Sequence, residues 1–339
     1  MTQVNDRCSR SRRGISIRKG LKILVTVLLI YSLGSMLLSA VMFRVLFPRR
    51  DGVSDIRYTY ADVDSAAYPR TPFSFDSCGH AISACRYEAR RAKGEIAVIN
   101  GIGAGMDSHL AEIMYFVDHG WTVVTWDATG LGGSGGRGIM GLQQIRLDLL
   151  AYLDYRERTG ETLPLVLYGH SAGAYAAATV LDGDYGVRAA VCLCAFDSPT
   201  SVMLYHARQR VGVLADAQYP FLLLESYFLF GADADVSAVD AVSRSRVPVL
   251  AVESSSDDLV PHELGLAGRG AYQNPNVTVM TVDTAWRNEH NTPWLSPAAA
   301  EYVGGLKEGQ RVDKARANQL DQPFMEQILA FFNDAVDGA

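Results

Sequence analysis

Short, wholly apolar runs alternate along most of the chain with longer stretches whose apolar residues recur at helical spacing. Glu95–Asn100, Trp121–Trp126, Pro164–Tyr168, Val187–Ala195, Val247–Val252 and Val277–Val282 read as buried strands. Residues 141–158, with Leu142, Ile145, Leu149, Leu150 and Leu153, keep helical spacing, as do Ala172–Leu181 and Phe324–Phe332. Leu110, Ile113, Met114 and Val117 predict a further helix, with Asp107 positioned to cap it. Continuously apolar strands alternating with helices predict an α/β fold, a mostly parallel sheet covered on both faces. Ahead of it, Phe73–Ser77 and Ala81–Tyr87 flank Cys78-Gly79 and predict a hairpin. Residues 51–70 read as a polar connector with a short strand near Arg57–Tyr60, and no repeat or low-complexity tract is present.

The N-terminus departs from this alternation. Ile23–Phe43 carries no charge over 21 residues, enough to cross a hydrocarbon core of about 30 Å. The run is longer than a signal peptide's apolar region, and Leu38 stands where its cleavage site would need a small residue. It also lacks the polar face of an ordinary core helix. An uncleaved anchor is therefore expected. Arg7, Arg10, Arg12, Arg13, Arg18, Lys19 and Lys22 precede the span, and Arg44, Arg49 and Arg50 follow it. The bias predicts a single-pass chain with a cytoplasmic N-terminus and its large C-terminal part on the other side. The expected organisation is a basic tail over 1–22, an anchor over 23–43 and one α/β domain over 51–339.

Composition narrows the partners. Across 339 residues, 48% hydrophobic and 20% charged content permit a sizeable core. A net charge of −6 offers no general basic surface, so no nucleic-acid partner is expected. Cys8, Cys78, Cys85, Cys192 and Cys194 show neither zinc-site nor Cys-x-x-C spacing. No metal, cofactor or structural disulfide is expected; a Cys78-Gly79 turn would separate Cys78 from Cys85.

Chemistry concentrates at Gly169-His170-Ser171-Ala172-Gly173, between a strand and a helix. A sharp turn there lifts a serine hydroxyl above the sheet, and the helix N-terminus favours developing negative charge. A nucleophilic serine needs a base and an orienting acid. His206, His262 and His290 follow Ser171, and Asp257 and Asp258 follow the Val247–Val252 strand. The loops carrying Asp257 and His290 come after consecutive strands, so a parallel sheet brings both to the edge that carries Ser171.

These segments resemble the α/β-hydrolase family, especially its lysophospholipase-like, monoglyceride-lipase-like and membrane-tethered members. Asp257-Asp258-Leu259-Val260-Pro261 is similar to the family's Asp-x-x-Val-Pro, with Asp257 in the acid's place and Asp258 as the alternative. Glu289-His290-Asn291 stands where relatives have Gly-His-Asn or Gly-His-Asp. Asn100-Gly101-Ile102-Gly103 replaces their His-Gly-x-Gly. The resemblance implies an acyl-enzyme at Ser171, with His290 as base, Asp257 as orienter and backbone N–H groups of Ile102 and Ala172 as oxyanion donors. It implies a lid at about 197–245, where Phe221–Phe230 is the most apolar stretch. His170 is expected below the turn, and His206 and His262 at the surface, with contact to substrate from the lid the alternative for His206. The expected substrate is a small-molecule acyl ester, with lipid-like esters favoured by the anchor. Amides and thioesters could use the same groups, and a silent binding scaffold is the rival of another class. The sequence names no protein partner.

Gly130-Leu131-Gly132-Gly133-Ser134-Gly135 matches a dinucleotide fingerprint formally. The second strand ending in an acidic residue is missing, since residues near 150 read as mid-helix. The same stretch fits Asp127-x-x-Gly130-x-Gly132-x-Ser134, a feature of α/β-hydrolase relatives.

Overall fold

The protein is described by a computed structural model over residues 17–338. Arg7, Arg10, Arg12, Arg13 and Cys8 lie outside the described residues. The chain opens on one long helix, α1 (Ile17–Leu46), and a connector leads to the hairpin β1 (Arg70–Ser77) and β2 (His80–Tyr87). Next come β3 (Glu95–Ile99), α2 (Leu110–Asp118), β4 (Thr122–Trp126), α3 (Gln143–Thr159), β5 (Leu165–His170), α4 (Ala172–Thr179) and β6 (Val187–Leu193). Three helices follow β6: α5 (Pro199–Val211), α6 (Leu214–Phe230) and α7 (Ala238–Arg244). β7 (Val249–Ser254), β8 (Val277–Val282), α8 (Pro297–Gly304), α9 (Lys314–Ala317) and α10 (Gln322–Asp337) complete the chain.

The eight strands form one sheet in the order β1-β2-β4-β3-β5-β6-β7-β8. β2 runs antiparallel to β1 and β4, and the pairs from β4 through β8 are parallel. Alternation along each inner strand feeds two cores. Ala97, Leu165, Leu167, Ala190 and Ala251 face α3 and α4. Ile96, Val166, Tyr168, Val191 and Leu250 face α2, α8 and α10. Two covered faces explain why the inner strands read as unbroken apolar runs. β8, at the edge, keeps only Val282 buried.

Three local expectations fail. Arg57–Tyr60 forms no strand; Tyr60–Asp62 is a 3₁₀ turn. The Thr59 N–H and hydroxyl both donate to Asp62 Oδ2, each at 2.7 Å, and close the backbone on itself. Asp107 does not cap α2, whose N-cap is His109. Its carboxylate instead accepts from the Tyr60 N–H at 2.8 Å and pairs with Arg70 at 2.9 Å. The third concerns the polar face of α1. The helix is long and apolar enough to cross a membrane, yet Ser35 and Ser39 are buried against α6. Gln218 donates to the Ser35 carbonyl at 2.7 Å and the Ser39 hydroxyl at 2.9 Å. Tyr31 donates to the Ala217 carbonyl at 2.8 Å and meets Phe221 edge-on. A stripe of two serines and a tyrosine is too narrow to register as amphipathic, but it suffices for a close helix pair.

The connector after α1 crosses the glycine-rich loop after β4. Arg49 donates to the carbonyls of Gly132, Ser134 and Gly136 at 2.8–2.9 Å. Arg50 exchanges backbone hydrogen bonds with Gly130 and Gly132. Asp127 accepts from the N–H groups of Met106 and Gly133, and Ser134 Oγ donates to the Asp127 carbonyl at 2.6 Å. The loop's polar groups are thus engaged within the chain. Cys78 sits in the hairpin turn, while Cys85 pairs with Pro72 well down the ladder.

Candidate active site

The strand-to-helix turn at Ser171 is sharp. Ser171 has φ 56° and ψ −120° between β5 and α4, a conformation that L residues hold only when the surroundings impose it. Glycine is needed on both sides. A Cβ on Gly169 would fall 2.5 Å from the Gly173 carbonyl oxygen, and one on Gly173 would fall 2.1 Å from that of Ile99. Small residues let α4 lie directly on β3 and β5, and Ala172 through Thr179 are all buried.

Asp257 and His290 meet although 33 residues separate them. His290 Nδ1 lies 2.7 Å from Asp257 Oδ2. A carboxylate only accepts, so this contact places a ring proton on Nδ1, and in the neutral ring Nε2 is then the acceptor. Asp257 Oδ1 accepts the N–H groups of Leu259 and Val260 at 2.9 and 2.8 Å. These bonds fix the carboxylate in the turn of the Asp-x-x-Val-Pro segment. Both side chains are buried, whereas Asp258 is exposed. Ser171 and His290 line one cavity of about 340 Å³. Among the described residues, the Ser171 hydroxyl makes no direct hydrogen bond to His290; such contacts are often long without substrate.

Ile102 lines the same cavity. Its N–H meets no backbone acceptor among the described residues, and the Ala172 N–H opens α4, where no preceding turn can accept it. Gly101 approaches so closely that a Cβ there would lie 3.3 Å from that of Ser171. Asn100 turns away from the cavity: its amide donates to Thr125 Oγ1 at 3.1 Å and to the Trp126 carbonyl at 3.4 Å. It ties the loop after β3 to β4.

Behind the pair lies an aromatic layer around His170, which lies below the turn as expected. His170 is buried, and its Nε2 donates to the His290 carbonyl at 3.0 Å. Burial holds its pKa well below the usual histidine value, and His290 and His109 reinforce the shift, so the ring is neutral. His109 packs on His170 and Trp294, and its Nδ1 contacts the buried Glu112 at 2.6 Å. Arg57 reaches from the connector to the Asn291 carbonyl at 2.7 Å and lies over the Trp294 ring. No motif flags His109, Trp294 or Arg57, which reach His170 from three separate segments. His262 is exposed and pairs with Glu253. His206 is half-buried and lines the cavity from α5, nearer the site than a surface histidine.

The donor atoms of His170, Cys194 and His290 approach within 4.8 Å of one another. His170 Nε2 and His290 Nδ1 are already committed to hydrogen bonds, and burial pushes the Cys194 thiol pKa far up. The cluster is therefore poorly disposed to ligate a metal, which takes thiolate rather than thiol.

The sheet order, the serine turn after β5 and the helical insertion after β6 define the α/β-hydrolase fold. Residues 90–220 match the family described as serine aminopeptidase, S33. Among solved structures, the chain is similar to an esterase of Pyrococcus furiosus, at TM-score 0.59 and 14% identity over 85% of this chain and 99% of that one. It is also similar to the Pyrococcus horikoshii acylaminoacyl peptidase, at TM-score 0.52 and 12% identity over 81% of this chain and 43% of that one. Est1E from Butyrivibrio proteoclasticus, solved with ferulic acid bound, aligns at TM-score 0.50 and 16% identity over 76% and 99% of the two chains. No curated protein matches the sequence significantly.

Proposed function

We propose that the chain is a membrane-anchored serine hydrolase that cleaves a carboxylic ester through an acyl-enzyme at Ser171. The observation that carries this reading is the buried His290–Asp257 pair opening onto the cavity that holds Ser171. His290 Nε2 takes the hydroxyl proton as Ser171 Oγ attacks the ester carbonyl carbon. The Ile102 and Ala172 N–H groups hold the resulting oxyanion, each worth about 10²–10³ in rate by analogy with such donors. Collapse expels the alcohol, which takes the proton from His290. Water then attacks the acyl carbon with His290 again as base, and the acid leaves as Ser171 recovers its proton.

An ester fits the cavity better than a peptide with a free N-terminus. Among the described residues the lining includes Arg210, His206 and His290 but no carboxylate, so nothing there would pair with an ammonium group. The walls are otherwise mainly apolar, the setting that suits an acyl or aryl group. The small-molecule ester partner and the hydrolase domain over 51–339, with its lid at about 197–245, belong to this proposal.

The anchor belongs to it too. The side chains of Tyr31 and Ser39 and the carbonyl of Ser35 match partners on α6, which supports a helix that is kept rather than removed. The orientation places the N-terminus in the cytoplasm and the catalytic domain outside it. Fluorophosphonate labelling of the intact protein, compared with Ser171→Ala and His290→Ala, tests the chemistry; equal labelling of Ser171→Ala would sink it. Protease accessibility beyond residue 50 in intact cells tests the orientation.

A further inference from the structure

The cavity at Ser171 has an unexpected wall. Met42 and Leu46 of α1, with Phe47 just beyond it, line the pocket together with the lid residues Met203 and Leu222. The helix that would cross the membrane is therefore also part of the container for the substrate.

This wall follows from helix periodicity. Ser35, Ser39, Met42 and Leu46 recur at intervals of four, three and four, which keeps them on one side of α1. The first two meet Gln218 of α6. Pinning that half of the stripe turns Met42 and Leu46 toward the cavity. Phe43 and Phe47 are buried, and Phe43 packs on Phe230 at the end of α6, with ring centroids 6.5 Å apart. The connector then docks backbone on backbone: a Cβ on Gly138 would fall 2.6 Å from the Phe47 carbonyl oxygen. Contacts on both sides of Met42 and Leu46 thus hold the wall in register with Ser171.

We infer that α1 is a specificity element as well as an anchor, and that the pocket takes the aliphatic acyl chain of an ester lying against Met42 and Leu46. The inference rests on the serine-hydrolase reading. A volume of about 340 Å³ lies near the lower end of the range for small-molecule sites, which suits a chain of medium length over a bulky polar acyl group. Residues 23–30 of α1 are uncharged and exposed; held in a bilayer, they would bring its surface close to α6 and the pocket.

The test uses the full chain in detergent and p-nitrophenyl esters from acetate to palmitate. The readout is the ratio of kcat/KM for decanoate over acetate, in which loss of folded protein cancels. Met42→Trp and Leu46→Trp should each lower that ratio by about tenfold or more, the scale on which a pocket senses methylenes. Leu46→Ala should move the preference the opposite way, raising palmitate relative to decanoate. Leu33→Trp, exposed on α1, should leave the ratios unchanged. Turnover with ratios unchanged in all the wall variants would overturn the inference alone. If the unsubstituted protein turned over no ester, or Ser171→Ala were as active, the hydrolase reading would fall and this one with it.

Discussion

Arg57 donates from the connector to the carbonyl oxygen of Asn291 at 2.7 Å, and so fastens the segment after α1 to the residue next to His290. Arg57 also covers Trp294, on which His170 packs. The chain that follows α1 is therefore joined to the loop carrying the proposed base. Arg57→Ala should lower kcat for an ester by about 10- to 100-fold, the scale of a small misplacement of a reacting group. KM should change little, since Arg57 lies outside the cavity lining. Arg57→Lys should recover part of kcat. A fall in thermal stability with kcat intact would make the contact purely structural.

The two neighbouring carboxylates give a clean comparison. Asp257 touches His290 and accepts two backbone N–H groups, while Asp258 faces solvent. Asp257→Asn keeps the shape but favours the wrong ring tautomer, so kcat should fall by about 10⁴. Asp258→Asn should stay within about twofold of the parent, as exposed substitutions away from such features usually do. Steady-state hydrolysis of p-nitrophenyl esters separates the two, and equal losses would remove Asp257 from its proposed role.

The sheet was legible because its inner strands are covered on both faces and so read as unbroken apolar runs. The serine turn was legible because Gly169 and Gly173 are forced by backbone contacts. The choice between Asp257 and Asp258 was not, since either carboxylate fits a loop until the turn at Leu259 and Val260 selects one. His170 was expected below the turn, but its neighbours His109, Trp294 and Arg57 were not, because they lie far from it in sequence. The polar edge of α1 escaped notice because Ser35 and Ser39 lower hydropathy too little to break an apolar run. Their meaning depends on Gln218, which only the folded chain brings alongside.

The connector's fit depends on glycine at one close approach. Gly52 has φ +73°, and a Cβ there would fall 2.8 Å from Gly105 Cα, in the loop after β3. Gly160 has a similar φ of +71° with open space around it. Gly160→Ala should therefore cost only the left-handed conformation, about 1–2 kcal/mol. Gly52→Ala should add a backbone clash, for about 2–4 kcal/mol in all. Denaturant melts of the two variants in detergent measure the difference, which reports the docking of the connector on the loop that carries Ile102. Equal losses would mean that the connector yields without disturbing that loop.

His170 predicts how stability depends on pH. Burial lowers its folded pKa well below the ordinary value, whereas in the unfolded chain it titrates near about 6.5. Between those two values the unfolded state binds a proton that the folded state refuses. Stability must then rise with pH across that window, and fall as pH drops below about 6.5, by up to about 1.4 kcal/mol per unit. His170→Gln keeps a donor near the His290 carbonyl but cannot titrate. Its unfolding free energy, followed from about pH 5 to about pH 6.5 by denaturant melts, should change less steeply than the parent's by up to one proton. Parallel slopes would show that His170 takes up its proton in the folded protein, and that the layer behind His290 opens to water more readily than its packing implies.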